Sequence, residues 1–140
     1  MADGVGVLVS HRLNIHAAWQ LQGSFEQMRR HLNADSLEAL PWEVSNHQKG
    51  LIWLDEDGKR KRRKPCGALY KHPDRLHYSA EDLLMGPLLF TGPDTQAGQV
   101  ELLSEHDAVL LQQWINAGGS CRVMGFWFSI KLPMNQTLQR

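Results

Sequence analysis

Residues 49–70 read KGLIWLDEDGKRKRRKPCGALY, and the pairing of this stretch decides the arrangement of everything around it. An apolar run, Leu51 to Leu54, leads into three acids and an Asp57-Gly58 step of the kind that hairpin turns favour. Six consecutive cations follow, Lys59, Arg60, Lys61, Arg62, Arg63 and Lys64, before the chain turns apolar again at Cys66 to Tyr70. The pattern predicts a β-hairpin, an arm of about residues 50–70 whose returning strand begins in charge and ends in the core. Side chains alternate along a strand, so Lys59, Lys61 and Arg63 fall on one side and Arg60, Arg62 and Lys64 on the other. Neither side can be buried, so the arm is expected to protrude or to be disordered.

Working outward, residues 12–23, RLNIHAAWQLQG, alternate apolar and polar, which is the period of a half-buried strand. Ser24 with Gln27 forms a capping-box pattern, and Phe25, Met28 and Leu32 recur at helical spacing, which predicts a helix over 25–32. The stretch 34–43, ADSLEALPWE, reads as one more short turn ended by Pro41. A helix capped by Ser79 is predicted over 79–90, kinked or ended by Gly86-Pro87. The clearest helix is 104–119: Ser104 caps it, acids fill its first turn, and Ala108, Leu111, Trp114 and Ile115 share an apolar face. Residues 91–99 read as a surface loop. The closing stretch 121–133, CRVMGFWFSIKLP, reads as one long strand with Met124, Phe126, Phe128, Ile130 and Leu132 inward and Trp127 outward.

Strand, helix, two strands, helices, strand is an α+β order. It matches the ferredoxin-like βαββαβ layout: an antiparallel sheet with helices packed on one face, here with a protruding basic β-hairpin. The 140 residues are read as one globular domain, 1–140. A chain of this size buries roughly two thirds of its unfolded surface. At 42% hydrophobic and 21% charged it has ordinary soluble composition. Two cysteines, Cys66 and Cys121, far apart and outside any CxxC, exclude a disulfide framework and fit a reducing, cytoplasmic setting, or a nuclear one in a eukaryote. The first residues lack a signal-peptide pattern, and no stretch approaches the roughly 20 apolar residues that span a bilayer, so no membrane association is expected.

Charge is unevenly spread although the formal total is zero. Nine of the 15 cations lie within 49–75 against four acids, while 76–121 holds six acids and neither Lys nor Arg. Such asymmetry bears on partners and association rates. The run Lys59 to Lys64, extended by Lys71 and Arg75, is accordingly read as a phosphate-binding surface, because each neutralised phosphate releases counterions without demanding a particular base. Lys49 would enlarge the patch, and Tyr70, Trp53 or Tyr78 would stack on a base if exposed. The expected function is non-enzymatic nucleic-acid binding, as an accessory of a larger nucleoprotein complex.

Two other classes stand beside it. A protein-binding adaptor or inhibitor would dock a basic partner through the acidic block and exposed aromatics such as Trp127. A small metal-independent nuclease would use His72 or His77 next to the cations, or His16 with Arg12. Cys66, His72, Asp74 and His77 match no zinc spacing, so neither metal nor cofactor is expected. No phosphate-binding loop, dinucleotide fingerprint, HExxH or GxSxG is present. The stretch RVMGFWF lacks the residues that the RNA-recognition motif requires after its first cation, and no family is assigned on it.

Overall fold

The computed structural model describes residues 5–9, 15–18, 25–45, 48–72, 80–92, 95–96, 99–116 and 121–130. In chain order the elements are β1 (Gly6–Val9), β2 (Ile15–Ala18), α1 (Phe25–Leu32), β3 (Leu37–Ser45), β4 (Gln48–Asp55), β5 (Pro65–Tyr70), β6 (Asp82–Met85) and β7 (Leu88–Thr91). They continue with β8 (Thr95–Gln96), β9 (Gln99–Val100), α2 (Glu105–Asn116), β10 (Cys121–Val123) and β11 (Phe126–Ile130). Nine strands make one antiparallel sheet in the order β2-β1-β7-β4-β3-β10-β11-β5-β6, and β8 with β9 forms a separate ribbon. The α+β class holds; the element order is not βαββαβ.

The sheet bends over on itself. Phe90 on β7 and Phe128 on β11 are four strand steps apart, about 19 Å if the sheet were flat. Their ring centroids are 5.8 Å apart. Trp42 on β3 meets the same Phe90 edge-on, also at 5.8 Å, so three rings tie the halves of the sheet together across its inner face. Gly67 on β5 makes room for this: a Cβ there would lie 2.5 Å from the Phe128 ring.

Each face has its own core and its own helix. Val7, Val9, Ile52, Leu54, Leu88, Phe90 and Phe128 point inward with Ala108, Leu111 and Ile115 of α2. The alternate positions Leu8, Leu51, Trp53 and Leu89 point outward and are covered by Phe25, Met28 and Leu32 of α1. Strands buried on both faces read as unbroken apolar runs, which is why LLF at 88–90 carries no strand period in its sequence. The expectation of helices on one face is therefore corrected to one helix on each.

Several local expectations hold. Helix α1 spans the residues its spacing predicts, and it ends in a Schellman pattern: the N–H of Ala34 bonds the Arg29 carbonyl and that of Asn33 the Arg30 carbonyl, with Asn33 at φ 51°. The Asp107 N–H donates to Ser104 Oγ at 3.1 Å, the expected cap of α2. Others are corrected. Residues 37–45 form β3, not a turn, and place Trp42 in the core at 1% exposure. Of the stretch predicted as a helix, the described residues 80–90 do not form one; Gly86, at φ +95°, and Pro87 separate β6 from β7. The closing stretch is a hairpin rather than one strand, because Met124 and Gly125 both take positive φ, as a type I′ turn requires. Met124 is exposed as a result, and so is Trp114 on α2.

The decisive correction concerns residues 49–70. β4 pairs with β3 on one side and β7 on the other, while β5 pairs with β11 and β6. With both sides of β4 occupied, no hairpin forms between β4 and β5. The cationic run is the crossing between two distant strands. Arg12, Trp19, Ser24, Arg75, His77, Tyr78, Ser79 and Gly118 lie outside the described residues, as does the side chain of His16. Among the described residues no helix is long and apolar enough to cross a membrane.

If the ring stack holds the bent sheet, Gly67→Ala should cost about 1–3 kcal/mol, since the added methyl must displace Phe128. Equilibrium urea denaturation measures this, and near-wild-type stability would contradict the assigned packing.

Candidate functional site

The crossing from β4 to β5 is a single helical turn rather than an extended arm. The N–H groups of Arg63 and Arg62 bond the Gly58 and Lys59 carbonyls, and Arg62 takes φ 59°, which again is the Schellman arrangement. This turn folds Lys61 and Arg63 back onto the body of the protein. Asp55, at the end of β4, is 2% exposed, and its carboxylate accepts from Lys61 and Arg63 at 2.9 Å each and from the Asp57 N–H at 2.9 Å. The same Arg63 nitrogen lies 2.8 Å from the Leu32 carbonyl and 3.1 Å from that of Asn33, so it also serves the free carbonyls at the end of α1. One carboxylate thus joins β4, the turn and α1.

Burial draws the Asp55 carboxyl upward, but the hydrogen bonds from Lys61, Arg63 and Asp57 outweigh it and leave the pKa below the ordinary value. Two further acids engage the run: Lys59 bridges to Asp82 on β6, and Arg60 lies 3.3 Å from Asp57. Of the six cations, Arg62 and Lys64 are exposed and have no ion-pair partner among the described residues. Lys71 is exposed, 3.9 Å from Glu81. The structure therefore divides the expected phosphate-binding set: Lys61 and Arg63 hold the turn to Asp55, Lys59, Arg60 and Lys71 are exposed beside surface acids, and Arg62 and Lys64 face solvent without an acid partner among the described residues.

A second arrangement was not legible in the sequence. On the outer face of the sheet, beyond the area α1 covers, five directly opposed residues form a row across five strands. They are Tyr70 on β5, Trp127 on β11, Arg122 on β10, Glu43 on β3 and Lys49 on β4. Adjacent strands lie about 4.8 Å apart, so the row is about 19 Å long. The Arg122 guanidinium sits 4.7 Å from the centre of the Trp127 ring. Beside the row, Pro41 and Leu51 floor an open cleft of about 670 Å³ whose polar edge is Glu43, Lys49 and Arg122. Only the outward position of Trp127 could be read from alternation; its neighbours required the strand registers.

Of the residues considered for catalysis, Arg12, His77 and the side chain of His16 lie outside the described residues. Cys66 is fully buried in the inner core, and burial pushes its thiol up to about 11, which disfavours the reactive thiolate. His72 is exposed just beyond β5. Among the described residues no group of three His, Cys, Asp or Glu is placed to hold a metal ion.

Because the folded pKa of Asp55 is lowered, the stability it contributes is present above the unfolded value of about 3.9 and is lost as pH falls through the folded value. Asp55→Asn should cost about 3 kcal/mol at pH 7 and should flatten the acid limb of stability against pH, measured by urea denaturation between pH 2 and pH 7. Equal acid limbs in the two proteins would contradict the arrangement. No family model, no curated protein and no solved structure matches the chain.

Proposed function

We propose that this protein binds single-stranded nucleic acid across the outer face of its sheet, without catalysing a reaction, as an accessory of a larger nucleoprotein assembly. The observation that carries the reading is the row Tyr70, Trp127, Arg122, Glu43, Lys49. Two aromatic side chains next to two cations on an open sheet face supply both parts of single-strand binding: surfaces on which bases stack and charges that meet phosphates. Arg62 and Lys64 add charge from the turn. An arginine held at φ 59° costs more backbone energy than glycine would there, and a cation at a solvent-facing turn gives a use for that cost.

This reading changes the expected contact surface. A strand bound by the cationic run alone would meet residues already engaged by Asp55, Asp57 and Asp82. Breaking those contacts would oppose binding. Selectivity among bases has no evident source on the face, so binding is expected to be weakly sequence-dependent.

A second reading, docking of a protein partner, is favoured by the outer side of α2. Val109, Leu110 and Trp114 are 44%, 41% and 42% exposed there, and large exposed apolar groups on one helix are common at interfaces.

The test is fluorescence anisotropy with short single-stranded DNA and RNA and with duplexes, across a salt series. Trp127→Ala should weaken single-strand binding about tenfold, the loss of one stacked base, with an unchanged salt slope. Arg122→Ala and Lys49→Ala should each lower the slope by about 0.7. Absence of single-strand binding at low salt, or full affinity in Trp127→Ala, would refute the proposal.

A further inference from the structure

A second cleft, of about 420 Å³, opens where the bent sheet brings β6 back toward β4 without pairing to it. Its floor is the rim of the inner core: Leu40, Leu54, Leu69, Leu84 and Phe126. Its edge is acidic on both sides, with Glu38 and Glu56 on one and Glu81 and Asp82 on the other. Asp55 also lines it but is already satisfied by Lys61 and Arg63. Glu38 and Glu56 are exposed and have no ion-pair partner among the described residues. The lone cation lining the cleft is Lys59, which reaches across to Asp82 while its side chain stays 65% exposed.

An apolar floor under an acidic edge selects an occupant with a hydrocarbon stem and a cationic head, which describes a lysine or arginine side chain. Lys59 already plays that part in miniature. The extent of the cleft points to a peptide rather than a small amine. Asp82, Leu83 and Leu84 line it consecutively along β6, and among the described residues β6 is the last strand of the sheet, paired on one side only. An extended segment can lie against such an edge and present alternate side chains to the pocket. Glu38 and Glu56, which have no ion-pair partner among the described residues, provide for a further cation beside Lys59.

We infer that this cleft docks an extended basic peptide of a partner protein, its lysine or arginine side chains replacing Lys59 at the acidic edge. The inference is independent of nucleic-acid binding, since the residues involved are not those of the outer-face row. A labelled ten-residue peptide alternating lysine and leucine, titrated by anisotropy at low and high salt beside an alternating glutamate and leucine control, tests it. The basic peptide should bind, the acidic one should not, and salt should weaken binding. Glu38→Gln with Glu56→Gln, both exposed, should reduce affinity about tenfold without altering the circular dichroism spectrum or the affinity for single-stranded oligonucleotides. Lys59→Ala should strengthen peptide binding severalfold by removing the internal competitor, whereas a phosphate-contacting role for Lys59 would show as weakened oligonucleotide binding. Absence of peptide binding, affinity unaffected by the glutamate substitutions, or weaker peptide binding in Lys59→Ala would each overturn the inference. So would butylamine binding in the cleft when the peptide does not.

Discussion

The buried carboxylate of Asp55 constrains more of the molecule than any other single group. It ends β4, accepts both cationic side chains that fold the following turn inward, and shares Arg63 with the end of α1. Burying a charge is costly, and a buried ion pair is not by itself a source of stability. What Asp55 supplies is definition: with three donors in place, only one path from β4 to β5 satisfies it. That path carries the chain over to the far side of the sheet, from the fourth strand position to the eighth. Lys61 and Arg63 are thus a fastening, and the apparent arm is the outside of a turn.

This explains why a strongly basic segment yields little free positive charge. In the sequence the run is flanked by acids on its N-terminal side alone, at positions 55–57. In space Asp82 comes to it from β6, and the carbonyls of Leu32 and Asn33 come from α1. Five of the six cations remain exposed, but only Arg62 and Lys64 lack a carboxylate partner among the described residues, and the face with both charge and aromatic surface is elsewhere, on the outer side of β5, β11, β10, β3 and β4.

Features set by neighbours in sequence were legible. Helix α1 followed from Phe25, Met28 and Leu32, and the start of α2 from Ser104 and its acids, because caps and helical periods span only a few residues. The inward turn of Phe126 and Phe128 followed from alternation. Features set by distant partners were not. Asp57-Gly58 is a sound hairpin signal, but the strands beside it found better partners in β3, β7, β11 and β6, and local preference gave way to the competition for strand edges. Met124-Gly125 was missed as a turn because methionine seldom adopts positive φ. Residues 88–91 mislead for another reason: a strand covered on both faces loses the alternation that would announce it, and upstream the acids at 81–82 imitate a helix start. The candidate site was legible only in Trp127, since a row across five strands exists only once their registers are set.

The most direct measurement is a double-mutant cycle between Asp55 and Arg63, using Asp55→Asn, Arg63→Gln and the double variant in equilibrium urea denaturation at pH 7. If the carboxylate fastens the turn through Arg63, the two losses will not add, and the coupling will be about 1–3 kcal/mol. Additive losses, with coupling near zero, would contradict the account and return the cationic run to the status of a free, solvated loop.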